Sequence, residues 1–232
     1  MTQRPSSGHR PSASTGARDH RNARAIVGKL RRLVPQARTA LQHEDPFQLL
    51  IATILSAQCT DERVNLVTPG LFRMFPGPEQ FAAAGQTALE GTIRSTGFFR
   101  MKARNIIACS GALMERHGGR VPRTMEELVA LPGVGRKTAN VVLGQAFGIA
   151  VGVVVDTHVH RLSRRLGFTD ADTPEKIEQD LMKLFPESDW IALGSVLILH
   201  GRSTCQARTP RCAGCVVRAL CPSATTFLRG EA

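Results

Sequence analysis

Lys137 stands in the stretch LPGVGRKTANVV (131–142), where a proline and two glycines make a tight turn and a helix follows. The first turn of a helix already presents positive charge from its backbone, so a lysine belongs more comfortably at the other end. An ammonium group here fits an anion that docks beside it, or an amine meant to lose its proton. An amine attacks only when neutral, and its reference pKa of about 10.4 must fall by several units to serve near neutrality. Partial burial and the adjacent helix N-terminus both push it that way. Nineteen residues on lies Asp156, in VVVDTHVHRL. Its carboxylate is a good N-cap for the helix that follows, and it is equally a candidate to stabilise positive charge or take a proton. The two roles are compatible.

The turn itself is a helix–hairpin–helix signature. Gly133, Val134 and Gly135 are placed to aim backbone N–H groups outward as an anion nest for a phosphate, without reading sequence. A plain connecting turn has the same composition. A second constellation is Cys205, Cys212, Cys215 and Cys221, spaced C-x6-C-x2-C-x5-C within 17 residues. In a chain with no secretory segment such a cluster points to metal rather than disulfides. Thiolates hold zinc or an iron–sulfur cluster, and spacing alone does not choose between them. Either metal pins a Gly/Pro/Arg-rich tail too poor in apolar residues to fold alone. Arg208 and Arg211, between the first two cysteines, fit a phosphate clamp on a metal-fixed loop as well as they fit plain solvated arginines. Cys59 and Cys109 read as small core residues within helical segments.

The elements that carry these groups are helical nearly throughout. Asp45 and Pro46 open a helix with Phe47, Leu50, Ile51, Ile54 and Leu55 on one face; Phe99 to His117 forms another, stopped by Gly118 and Gly119. Thr124 and Glu127 have capping-box spacing, Thr173-Pro174 starts a helix, and Asp189 starts the last long one. Pro69-Gly70 should interrupt the apolar pattern of 63–75. Only VGVVV (151–155) has strand character, and one short run makes no sheet, so the expected class is all-α.

Charge narrows the partner. The net +11 is concentrated at the chain ends: residues 1–43 hold nine Arg and Lys against Asp19 alone, and residues 193–232 hold five arginines against Glu231. A polyanion, above all nucleic acid, fits that balance, with a solubilising tail as the alternative. No apolar run suits a membrane span or a secretory signal, so a soluble intracellular monomer without membrane association is expected. Residues 1–24 read as a disordered basic tail, a transit peptide being the alternative.

Together LPGVGRKTANVVL, VDTHVHRL, LSAQCTD, ILHGR and the cysteine spacing resemble the endonuclease III family of helix–hairpin–helix DNA glycosylases, from about residue 25 to 222. The resemblance implies a two-lobed all-α fold with a DNA cleft between the lobes. One lobe is a six-helix domain of 39–150 with the hairpin at about 124–147. The other, 25–38 plus 151–232, is built around a 4Fe–4S cluster on the four cysteines rather than zinc. It implies a bifunctional DNA glycosylase and AP lyase of base excision repair. Such an enzyme removes oxidised pyrimidines from duplex DNA, or cuts at abasic sites, through a lysine Schiff base and β-elimination. Lys137 matches the catalytic lysine and Asp156 the essential aspartate. Gln58 matches a polar plug and Phe98 an apolar wedge that fill the hole left by a flipped nucleotide, Phe98 standing where leucine is expected. His158 matches a residue near the DNA backbone. As structure alone these three are a helix-end glutamine, a semi-exposed core phenylalanine and an ordinary helix histidine. Pro69-Gly70 departs from the continuous helix of the family. The resemblance also implies a bacterial cytoplasmic, nucleoid-associated protein, with organellar or nuclear placement as the alternative. The competing functional readings are a glycosylase of other base specificity, such as a mismatch-directed one, and a non-catalytic damage-binding paralogue.

Overall fold

The computed structural model describes residues 13–35 and 38–230, and among these it is all-α, with short 3-10 turns and no strand. Helix α1 spans Ala13–Leu33, α2 Pro46–Leu55, α3 Asp61–Met74, α4 Pro78–Ala82, α5 Gln86–Ile93 and α6 Phe99–His117. They are followed by α7 Met125–Val129, α8 Arg136–Phe147, α9 Thr157–Arg165, α10 Pro174–Leu184, α11 Glu187–Ser203 and α12 Ala224–Arg229. No helix among the described residues is long and apolar enough to cross a membrane.

The chain divides into two compact units. Among the described residues one comprises 38–155 with 187–195, the other 13–35, 156–186 and 196–230. Residues 151–155 and 187–195 therefore pack with the first unit, not with the cysteine-bearing one. In that first unit α2 is the central rod: it is apolar on every side and buries eight of its ten residues. Asp45 caps it, its carboxylate accepting from the Gln48 N–H at 2.8 Å, and Pro46 fills the first position, where no N–H is needed. Phe81 of α4 is fully buried against Phe47 and Phe75, with ring centroids 5.5 and 5.2 Å apart. Helix α6 ends where Gly118 adopts the left-handed conformation.

Three expectations are corrected here. Helix α3 runs through Pro69 without a break. Pro69 lies on the exposed face, where its ring meets solvent rather than packed neighbours, so the cost is a lost backbone bond and not a rupture. Residues 13–24 are helical rather than a disordered tail. Ala23, Ile26, Val27 and Leu30 make a buried stripe, and further bonds join His20 to the Leu184 carbonyl and Asn22 to that of Leu220. The rest of the expected tail, 1–12, lies outside the described residues. Helix α11 begins at Glu187, two residues before Asp189, and gathers both acids into its first turn.

The run VGVVV pairs with no strand. It lies against α11 instead, at Gly194, where an added Cβ would stand 3.3 Å from the Val154 carbonyl oxygen. In the second unit Ile177 and Leu181 of α10 and Val159 and Leu162 of α9 are fully buried, and Phe168 meets Phe185 edge-on at 5.3 Å.

Candidate nucleic-acid interface

The hairpin is built by capping and by glycine. Thr124 accepts from the Glu127 N–H and donates to its carboxylate at 2.7 Å, which starts α7. Leu131 and Val134 are buried and anchor the turn in the core. Gly133 sits at φ +76°, and a Cβ there would stand 2.7 Å from the Asn105 Cβ of α6, so both backbone and space demand glycine. Val134 does not turn its N–H outward as expected, because that group donates to the Leu131 carbonyl at 3.1 Å. Gly133 and Gly135 are exposed, and Gly135 caps α8. The N–H groups of the first turn of α8 lack intrahelical acceptors, as at any helix start, and can face an anion. Gly133→Ala is expected to lower stability by about 1–3 kcal/mol and to weaken duplex binding. Thermal melts and gel shifts on the same preparation check both.

Lys137 is the second residue of α8, in a first turn with no acid. It is exposed, not partly buried.

Asp156 caps α9. Its Oδ1 accepts from the N–H groups of His158 and Val159, both at 2.8 Å. Both bonds fall on one oxygen, so the cap leaves the carboxylate a second oxygen for other work. His158 packs against Gly201, where a Cβ would stand 3.0 Å from its ring, and its Nδ1 accepts from Arg161 at 3.2 Å. Burial pushes the imidazole pKa down; the carboxylate of Asp156 opposes this and the Arg161 and Arg202 guanidinium groups reinforce it. A backbone hydrogen bond at Gly201 also opposes the downward push. Lys137 and Asp156 belong to different units.

Gln58 and Phe98 share a property that no other described non-glycine residue has: both hold positive φ, 53° and 47°. Each is exposed, Phe98 at 59%, so an aromatic ring projects into solvent from a left-handed backbone. Neither conformation is favourable for a residue with a side chain, and each costs of order 1–2 kcal/mol unless its surroundings enforce it.

Cys205, Cys212, Cys215 and Cys221 line one pocket with His200, Leu166 and Val217. Among the described residues no group of three or more His, Cys, Asp or Glu side chains is drawn into single-ion geometry, so the four thiols stand together as the lining of this pocket. Burial, then the thiols of Cys205 and Cys215, pushes the Cys212 thiol up, with Arg165 acting the other way. Cys221 is raised by burial and by the other three, against a bond from the Ser223 backbone. These thiols feel one another, and a cation among them would reverse the effect and take them as thiolates. Four soft donors without a carboxylate fit an iron–sulfur cluster or zinc. Arg208 and Arg211 are exposed on the loop between the first two cysteines, which the Arg211 N–H closes onto the Thr204 carbonyl at 2.9 Å. Cys109 is buried in α6 as expected, whereas Cys59 lies in the turn after α2 rather than in a helix, half-buried against the core.

Residues without a local motif also support these sites. Arg165 donates to the Gln206 and Ala207 carbonyls at 2.8 Å, lies 3.5 Å from the Cys205 sulfur and stacks on Phe227 at 4.3 Å. Arg161 holds the Gly201 and Cys205 carbonyls, and buried His200 stands 3.6 Å from the Cys215 sulfur. The i, i+4 spacing of Arg161 and Arg165 in HRLSRRL was the one available signal, since it puts both on one face of α9.

The family model for HhH-GPD superfamily base excision DNA repair proteins matches residues 51–187, and the chain belongs to that superfamily. Within it, the chain is similar to several endonuclease III proteins. The chain is 54% identical over 202 residues to endonuclease III of Synechocystis sp., covering 87% of this chain and 92% of the relative. It is 42% identical over 196 residues to endonuclease III of Escherichia coli (strain K12), covering 84% and 92%. Among solved structures, a trapped endonuclease III–DNA covalent intermediate, the estranged-adenine complex, matches with a TM-score of 0.86 at 42% identity, covering 90% of this chain and 99% of that one. A thermostable thymine-DNA glycosylase shares the fold at 20% identity, with a TM-score of 0.80 and coverage of 93% and 100%.

Proposed function

We propose that this chain is a bifunctional DNA glycosylase and AP lyase of base excision repair, acting as a monomer on oxidised or ring-saturated pyrimidines in duplex DNA. The observation that carries it is Lys137: an exposed lysine in an acid-free first turn beside a glycine hairpin, in a chain 42% identical to an endonuclease III captured covalently on DNA. The larger unit carries the amine, the hairpin, Gln58 and Phe98; the smaller carries Asp156, His158 and the cysteines.

The damaged nucleotide leaves the stack at a cost of a few kcal/mol, and Gln58 and Phe98 fill the space it vacates. The strand then rests on the first-turn N–H groups of α8, which brings the Lys137 amine to the sugar. Nζ bonds to C1′ of the sugar, the bond from C1′ to the base breaks, and the base departs with the electron pair and a proton. Asp156 stabilises the positive charge that develops on the sugar, through the oxygen its cap does not use. The nitrogen lone pair then forms the C1′=N bond as the C1′–O4′ bond breaks and O4′ takes up a proton, and the resulting protonated Schiff base acidifies the C2′ proton. Its removal expels the 3′ phosphate oxygen and nicks the strand.

Cys205, Cys212, Cys215 and Cys221 would hold a 4Fe–4S cluster that fixes the fold of the tail and so presents Arg208 and Arg211 to phosphates. The protein works in the bacterial cytoplasm, at the nucleoid. Borohydride added to wild type with a panel of oxidised-pyrimidine and abasic duplexes tests the reading. A covalent adduct and a 3′-side nick are expected. Base release without an adduct would leave a monofunctional glycosylase, and binding without either would leave a damage-binding protein. Visible absorbance separates a brown iron–sulfur protein from a colourless zinc one.

A further inference from the structure

Lys102, on the first turn of α6, has no part in the chemistry above, yet it is 3% exposed and spends its ammonium group entirely inside the larger unit. Nζ donates to the Leu55 carbonyl at 2.8 Å and to the Thr96 carbonyl at 2.7 Å. Leu55 is the last residue of α2, three before Gln58; Thr96 ends the 3-10 turn, two before Phe98. The backbone N–H of Lys102 also donates to the Phe98 carbonyl, at 3.1 Å. One residue thus holds both stretches of chain that lead into the left-handed residues. Burying a lysine is costly, and burial does push this amine down, against the Cys59 thiol nearby, which pulls it up. An apolar side chain of similar length would fill the space without that cost, but it would leave two carbonyls unsatisfied and the two loops unconnected.

We propose that Lys102 is a positioning residue for base extrusion: by bridging the Leu55 and Thr96 carbonyls it locks the loops of Gln58 and Phe98 into one rigid part that enters the duplex together. This rests on the plug and wedge roles proposed above for those two residues. Inserting two side chains from opposite ends of a gap helps only if their spacing is fixed beforehand; otherwise the binding energy is spent on ordering the loops. The two strained φ values are the positions where such enforcement is needed.

The test compares single-turnover cleavage of two duplexes by the full chain. In one an oxidised pyrimidine is fully paired; in the other a preformed abasic site faces a gap, so nothing has to be extruded. Lys102→Met is expected to slow the paired substrate by at least about tenfold, the equivalent of 1.4 kcal/mol, and the gapped one by less than about twofold. In a Phe98→Ala background the Lys102→Met effect on the paired substrate should largely vanish, because the wedge it positions is gone. Equal slowing of both substrates, or an undiminished effect beside Phe98→Ala, overturns the proposal. Failure of Phe98→Ala alone to slow the paired substrate would instead overturn the wedge role. Should Lys102→Met not fold, hydrogen exchange on the wild type decides. Adding a duplex with an uncleavable abasic analogue should slow the amides of 56–59 and 97–99 by the same factor, and slowing in one segment alone overturns the coupling.

Discussion

Lys137→Ala is expected to leave no borohydride-trapped adduct and to lower strand cleavage by at least about 10³-fold, the scale on which removal of a covalent nucleophile is felt. The same variant should be no less stable than wild type. Arg136 and Lys137 stand in the first turn of α8, which itself holds no acid, at the positive end of the helix. Removing one of those charges, in favour of the best helix former, should stabilise by about 0.3–1 kcal/mol at low salt. Loss of function together with a raised melting temperature is the signature of a charge kept for chemistry at the expense of the fold. A destabilised Lys137→Ala protein that still cuts would remove the amine from the mechanism.

Asp156 separates its two roles through a pair of substitutions. Its Oδ1 accepts both capping bonds. Asparagine retains that oxygen and caps as well as aspartate, whereas alanine loses the cap at a cost of about 0.5–2 kcal/mol. Asp156→Asn should therefore melt within a few tenths of a kcal/mol of wild type, and Asp156→Ala clearly below it. Both should lose about 10²–10³-fold in turnover, because each removes the negative charge proposed to stabilise the sugar cation. Were Asp156→Asn to cut at the wild-type rate, the residue would be a helix cap and nothing more. Calorimetry and single-turnover kinetics on the two proteins read the outcome.

What the sequence discloses is mainly what neighbouring residues settle among themselves. Asp45-Pro46, Thr124 with Glu127, Thr173-Pro174 and the glycines after His117 each act within one turn of helix, and all appear where local capping rules place them. The left-handed backbone at Gln58 and Phe98 left no such trace, because nothing in LSAQC or TGFFR forces it. The bonds that reach the chain just before each of them come from Lys102 of α6, 47 and 6 residues away along the chain. Lys102 was hidden for the same reason: lysine is seldom buried, and no local pattern announces one that is. Residues 13–24 misled in the opposite sense. Their composition suits a free tail, and bonds spanning 164 and 198 residues tie their helix down. Val134 illustrates a finer gap, since the motif names the residue but does not reveal that its N–H is already engaged. Lesion preference has no local code at all, as a base pocket draws single side chains from many elements.

Helix α11 carries a consequence for how this molecule can be taken apart. Residues 187–195 belong to one unit and 196–203 to the other, along one unbroken rod. No truncation of the gene can deliver either half intact, because any boundary drawn at the unit border cuts through helical hydrogen bonds. Melting one half would fray the other through that shared rod, so heating should produce a single merged transition in calorimetry rather than two separable peaks.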